Sequence, residues 1–405
     1  MRLEIITGID LGSKTIRIAV GEKDPKTKKI KIIGAAEGES EGISKGVISN
    51  LEDTISSISK VVEKTERIIG TSIERANIGI SGTHIISEES KGVVAVSRAD
   101  GEISPEDVAR ALSAAQIIAT PPNYEILHII PRSYTIDSQP GIKDPVGMTG
   151  SRLEVDAQVI LGLSNQIKTL NKTFYRVGIE VNEFIFSILA CAESVLNREQ
   201  KELGVVLVNL GETTASMAVF EEGDILKANV LPIGSRHITA DIAIGLQIPM
   251  KLAEKIKINY GTAKPETVPK YEQINLSELD EKIKTIVSRK EVAEIISARC
   301  EEIFNLVDEE LKKIGRSGKL PAGVVLTGAA AQLDGIAELA KRVFKLPTSI
   351  GFPSGYDTAI DKINDPSFSA AIGLVLWNPA YSIESSPKGT MGLKFKNWVK
   401  NLWPK

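Results

Sequence analysis

Two stretches of the chain share one pattern of apolar and polar positions. Ile5 to Glu22 reads IITGIDLGSKTIRIAVGE, and Val205 to Glu222 reads VVLVNLGETTASMAVFEE. Each predicts an apolar strand, a tight turn of glycine, hydroxyls and a side-chain oxygen, and a second apolar strand. In register, Asp10 falls on Asn209, Gly12 on Gly211, Thr15 on Thr214, and Ile16–Val20 on Ala215–Val219. A single Gly-Ser or Gly-Glu turn is usually a plain connection. A turn written twice points to a shared task. Glycine turns expose backbone N–H groups with no Cβ in the way, so two of them can grip a polyphosphate from opposite sides.

Two further patterns fit a flat, sugar-bearing ligand. Ala322 to Leu339, AGVVLTGAAAQLDGIAEL, predicts a buried strand, a small-residue turn and an amphipathic helix. Gly328, Ala329 and Ala330 permit close approach by a ring, and the new helix would offer its N-terminal amides. Ala253 to Gly261, AEKIKINYG, places Glu254 and Lys257 at i and i+3 on one helical face. One acceptor and one donor there suit ribose hydroxyls and a base edge, although the same spacing also suits a solvated surface pair.

Residues 81–162 read differently, as strand His84–Val96, helix Ser104–Ile118 and strands Tyr124–Ile136 and Arg152–Leu163. Ser104 as N-cap, Pro105 next, and Glu106 and Asp107 at the positive end of the dipole mark the helix start. The long loop from Gly141 is rich in turn formers and carries no chemistry, so this small α+β unit reads as a contact surface.

The last residues carry the other strong pattern. Ala380–Met391, AYSIESSPKGTM, has the composition of a linker, and GLKFKNWVKNLWPK follows it. Phe395, Trp398, Val399, Leu402 and Trp403 stand at i, i+3, i+4, i+7 and i+8 on one helical face, with Lys394, Lys396 and Lys400 opposite. About twelve helical residues reach only ~18 Å, against ~30 Å of hydrocarbon, so such a helix cannot span a bilayer. It suits the membrane interface, with tryptophans at headgroup depth and lysines toward anionic lipid. The competing reading is a helix docked on its own domain. At ~1 kcal/mol per lysine near an anionic surface, one tail is a modest anchor, and a polymer displaying many tails binds far more tightly.

Composition narrows the classes. With 405 residues, 42% hydrophobic and 25% charged, the chain can bury at least two cores. A net charge of −3 recommends no nucleic acid. Cys191 and Cys300 sit in apolar helical patterns and read as reduced core residues. His84, His128 and His237 lack ligand spacing. No signal segment and no long apolar run is visible, so the sequence reads as cytoplasmic.

The order of phosphate hairpin, phosphate hairpin, Glu-x-x-Lys and Thr-Gly-Ala turn resembles the actin-like ATPase superfamily. KGVISN at Lys45–Asn50, LPIG at Leu231–Gly234, VVLTGAAAQLDG, ILHIIPRSYTID with GIKDPVGMTGSRLEV, and the tail together resemble the FtsA family of actin-like bacterial division proteins. The resemblance runs along nearly the whole chain. It implies an α/β, two-domain actin-like fold with a duplicated core, an inserted α+β subdomain and a C-terminal amphipathic helix. The boundaries it implies are 1–80 and 163–200 for the first domain, with 81–162 inserted for filament and divisome contacts. The second domain would span 201–235, its small half 236–315, and the adenosine motif with the return to the first domain 316–379. A linker at 380–391 and a membrane helix at 392–405 would follow.

The resemblance also implies ATP with Mg2+ between the domains. Gly12, Ser13, Lys14 and Thr15 match the first phosphate loop, and Gly211, Glu212, Thr213 and Thr214 the second. Asp10 matches the acid that holds magnesium through water. Glu254 and Lys257 match the ribose and base contacts, and Gly328 and Ala329 lie beside adenine. Two departures stand out: Asn209 replaces an acid, and Glu212 stands where many relatives have glycine. With Glu193 as the one candidate for activating water, slow or negligible hydrolysis is expected. Implied partners are a second copy in a homopolymer, anionic lipids, later division proteins and the C-terminal peptide of FtsZ, near Arg299 in the small half. A plain salt bridge to Glu301 or Glu302 is the other reading of Arg299. The implied location is the inner face of the cell membrane at the septum. Two alternatives are a small-molecule kinase of the superfamily and a PilM-type scaffold of a pilus or secretion machine.

Overall fold

The computed structural model describes residues 4–377. The segment Lys394–Trp403, with its apolar and lysine faces, lies outside the described residues.

The repeated hairpin is the centre of a larger repeat. In the first half, Glu4–Leu11 pairs antiparallel with Thr15–Lys23, which pairs with Ile30–Glu39. On the other side, Arg75–Ile80 and then Glu180–Phe186 add in parallel. In the second half, Val205–Leu210 pairs with Ala215–Glu221 and this with Asp224–Leu231. Gly323–Thr327 and Thr348–Ile350 add in parallel on the far side. Strand order and direction are therefore the same in both sheets, apart from the short strand Asp357–Thr358 at the edge of the first.

Both sheets are covered on both faces, so their central strands read as apolar runs without alternation. Val205 and Leu207 face a core shared with Ile9, Ile78, Ile188 and Leu374. Val206 and Val208 face the opposite core with Ile242, Ile296, Phe304 and Leu339. The helices Ser187–Val195 and Ser369–Leu376 are almost wholly buried and lie against each other. A Cβ on Gly373 would lie 1.8 Å from the Ala190 carbonyl oxygen, so the two backbones touch there. The helix Leu51–Ile69 starts where Asn50 Oδ1 accepts the Glu52 and Asp53 amides, and ends at Gly70 with φ 73°.

Residues between the first-half strands form their own sheet, in the order Ile85–Ala95, Arg152–Leu163, Tyr124–Ile136, Gln139–Ile142. The helix Pro105–Ala119 covers one face around Ile103, Leu112, Leu153 and Val155. Ser104 caps it as the sequence indicates, and Asp107 reciprocates at the Ser104 amide, 2.9 Å away. The strand Asp224–Leu231 packs against this inserted sheet, where Lys143 pairs with Asp224.

One expected element differs. After the strand Gly323–Thr327, the chain makes a 3-10 turn over Ala329–Gln332, and the helix begins only at Ile336. Gly335 has φ 76°, a left-handed conformation that cannot sit inside a right-handed helix. The N-terminal amides of that helix are therefore not beside Gly328.

Candidate functional site

The two hairpins meet tip to tip. Their ladders stop at Leu11↔Ile16 and Leu210↔Ala215, leaving Gly12–Lys14 and Gly211–Thr214 outside the pairing. Glycine is required at the same point of each turn. A Cβ on Gly12 would lie 2.5 Å from the Thr15 carbonyl oxygen, and one on Gly211 would lie 2.9 Å from that of Thr214. Ser13 Oγ and Thr213 Oγ1 are 2.9 Å apart across the gap. Lower down, Ser81 Oγ and Ser216 Oγ are 3.0 Å apart. The second hairpin is braced from behind: the Ser235 and Arg236 amides donate to the Gly211 and Glu212 carbonyls at 2.9 and 2.7 Å. This bracing needs Gly234, the last residue of LPIG, whose Cβ would lie 2.7 Å from both carbonyls.

Between the halves lies an open cleft. Asp10, Gly12, Ser13, Lys14, Thr15, Asn209, Gly211, Glu212, Thr213, Thr214, Gly328 and Ala329 all line it. Asp10 and Asn209 occupy equivalent floor positions. Burial raises the Asp10 carboxyl above its ordinary value, while Arg17 and a hydrogen bond from Ser187 pull it back. That hydrogen bond is 3.2 Å long. Asn209 Nδ2 donates to Cys191 Sγ at 3.6 Å. Gly328, at φ 88°, lies directly against Asn209, and a Cβ there would sit 2.2 Å from Asn209 Oδ1.

Glu254 and Lys257 are outside the cleft lining but are tied to its rim. On the helix Met250–Tyr260, Lys257 Nζ lies 2.7 Å from Glu254 Oε2. The other carboxylate oxygen accepts from Lys14 Nζ of the first hairpin at 2.5 Å, which joins the two halves. Thr239 Oγ1 donates to Glu254 Oε2 at 2.5 Å. Burial alone would raise the Glu254 carboxyl, but these donors, Lys14 foremost, hold it at about 2. Glu212 Oε2 accepts from Ser235 Oγ at 3.1 Å and stands 4.0 Å from Lys14 Nζ.

Of the two remaining expected residues, Glu193 lies outside the cleft, and Arg299 sits away from it on the long helix where it was expected. The Glu193 carboxylate pairs with Lys201 at 2.7 Å. Arg299, on the long helix Arg289–Lys313, grips Asp241 with Nε at 2.5 Å and Nη2 at 2.9 Å, and meets Glu302 at 2.5 Å. Among the described residues, no group of three or more His, Cys, Asp or Glu side chains is placed to hold a metal.

The structure adds residues that sequence reasoning missed. Arg17 lines the cleft opposite Asp10 in the hairpin register, backed by Glu37 at 3.2 Å and lying over the Phe368 ring. A lone charge inside the apolar run Ile16–Val20 was the available signal. Gly46 also lines the cleft. It and Lys45 have φ 76° and 52°, the two positive values of a type I′ turn between Ile43–Ser44 and Val47–Ile48. The turn inside KGVISN therefore seats the Gly46 backbone against Ser81. Ser187, Ser367 and Ala370 arrive from distant segments that no local pattern marks.

A sequence profile described as cell division protein FtsA matches residues 206–373, and one described as the SHS2 domain inserted in FtsA matches 82–161. The Pseudomonas aeruginosa cell division protein FtsA is 34% identical over 411 aligned residues, covering 98% of each chain. The chain belongs to the FtsA family. Its inserted sheet is the SHS2 domain of that family. Solved structures place the FtsA fold among actin-like proteins. The PilM–PilN type IV pilus biogenesis complex aligns with TM-score 0.67 at 13% identity, over 92% of this chain and 97% of that one. MreB5 of Spiroplasma citri bound to ADP aligns with TM-score 0.51 at 13% identity, over 91% and 94%. At such identities the likeness is one of fold.

Proposed function

We propose that this protein binds ATP with Mg2+ in its interdomain cleft, polymerises at the inner face of the cell membrane, and tethers FtsZ filaments there. The observation that carries the nucleotide reading is the pair of matched glycine turns facing each other across one cleft. Family membership supplies the division role. Gly12–Thr15 and Gly211–Thr214 hold the phosphates, with Lys14 and Arg17 as cations. Glu254 and Lys257 take the ribose and base, and Gly328 and Ala329 give the ring close approach. The half-buried Asp10 carboxylate on the floor would hold a magnesium ion through water, and such an ion would neutralise charge on the phosphates.

Hydrolysis is slow in this reading. Asn209 brings no charge to the cation, Glu212 brings a negative one toward the phosphates, and Glu193 is occupied by Lys201. ATP then acts by favouring a polymer-competent arrangement of the halves, which is a population shift rather than turnover. The amphipathic segment Phe395–Trp403 attaches each subunit to anionic lipid. The FtsZ peptide docks on the small half of the second domain, where Arg299 fixes two helices together through Asp241 and so shapes the docking face.

Co-sedimentation with anionic liposomes, with and without ATP–Mg2+, tests this on the intact chain and on one ending at Met391. Tail-dependent pelleting strengthened by ATP is the expected result. Both chains staying in the supernatant would overturn membrane attachment and favour a scaffold working through a membrane protein. Hydrolysis at the rate of a metabolic kinase would overturn the slow-ATPase reading.

A further inference from the structure

We infer that the hairpin tip Lys23–Lys31 is a second contact with the anionic lipid surface, working beside the C-terminal tail. The inference rests on the membrane reading above and adds a surface of the folded body to it. The nine residues KDPKTKKIK hold five lysines and one acid, a local charge of +4 in a chain whose net charge is −3. Lys26, Lys28, Lys29 and Lys31 are exposed. Among the described residues, none of the five forms an ion pair with a carboxylate.

The lysines are displayed by a closed turn. Asp24 Oδ1 accepts the Lys26 and Thr27 amides at 2.7 and 3.2 Å. The Asp24 amide donates to the Lys29 carbonyl and the Lys28 amide to the Asp24 carbonyl, both at 2.9 Å. Lys28 takes φ 60° to complete the bend. The one acid is thus engaged by the backbone, whose amides hold its carboxyl low and therefore ionised, so the tip carries its net +4; only at its base does Lys31 stand in register with acids, Glu22 and Asp357.

Position names the partner. The helix Ser369–Leu376 ends under the base of this hairpin: a Cβ on Gly21 would lie 2.6 Å from Val375 Cγ1 and 3.0 Å from Ile30 Cγ2. From Trp377 the chain runs on to the tail, so a tail held at a bilayer draws this end of the first sheet toward the same surface. Lysines act on anionic headgroups within a Debye length of ~8–10 Å. The loop offers no aromatic side chain for stacking on bases, which disfavours a nucleic acid.

The test uses the intact chain and the variant K26Q/K28Q/K29Q/K31Q. Vesicles are phosphatidylcholine alone or with phosphatidylglycerol, at low and high salt. The variant is expected to bind the anionic vesicles about tenfold more weakly or worse, with a shallower salt dependence and an unchanged melting temperature. Binding to phosphatidylcholine alone should not change. A second readout places a fluorophore at K28C, the native cysteines Cys191 and Cys300 being buried. Quenching by headgroup-labelled lipid is expected. Unchanged affinity with no quenching, while truncation at Met391 still abolishes binding, would overturn the hairpin contact and leave the tail reading standing. Lysine-dependent binding that survives truncation would uphold the hairpin and remove the tail. Loss in the variant of binding to DNA alone, with vesicle affinity intact, would overturn the lipid assignment.

Discussion

Substituting Glu254 with glutamine should weaken the protein in a way that depends on pH, because this carboxylate is the most heavily solicited charge at the cleft rim. Its side chain is 21% exposed, and Lys14, Lys257 and Thr239 all reach it. Burial by itself opposes the charge, yet the donors overcome it and take the carboxyl from 4.5 to about 2. At ~1.36 kcal/mol per pH unit, that displacement corresponds to ~3 kcal/mol favouring the ionised folded state. A depressed acid contributes fully above its unfolded value near 4.5 and loses the contribution as pH falls through its folded value of about 2. The difference in unfolding free energy between wild type and E254Q should therefore be ~2–3 kcal/mol at pH 6 and shrink steadily between pH 4.5 and 2. Urea titrations across that range give the difference, and the carboxyl carbon shift of labelled glutamate gives the titration midpoint directly. Lys14→Met should return part of the midpoint toward 4.5, since Lys14 crosses from the other half of the molecule. A midpoint at or above 4 in the wild type, or a difference that does not vary with pH, would refute the reasoning.

Gly328→Ala should cost ~2–4 kcal/mol and abolish nucleotide binding, read by thermal melting and by a fluorescent ATP analogue, because the new methyl group meets Asn209 and the Leu210 backbone at a positive φ. Asp10 should behave in the opposite sense to Glu254. Its carboxyl is raised by burial, so protonation sets in at higher pH than for an ordinary aspartate, and the magnesium dependence of ATP affinity should fade on acidification. Asp10→Asn should raise the melting temperature of the nucleotide-free protein at neutral pH while removing that magnesium dependence, as calorimetry and metal titration would show.

Local sequence was enough to specify the two hairpins, because turn chemistry and apolar runs act over a few residues. Gly12 and Gly211 are needed by the turn's own carbonyl, so their role is readable without the rest of the fold. Ser104 and Asp107 are likewise a helix start written in four residues. Family likeness then carried the fold class. What the linear pattern could not decide is which side chains converge. Arg17 faces the cleft only because the register sets it opposite Asp10, and Ser187 and Ser367 reach the same floor from segments far apart in the chain. Glu193 reads as a cleft residue by position but turns to Lys201. Lys14 finds Glu254 across 240 residues. Contacts at such separations depend on how two sheets and two buried helices pack, a property of the assembled core rather than of any window of sequence. Gly335 shows the limit from the other side, since one backbone angle moved a helix start away from the site it was expected to serve.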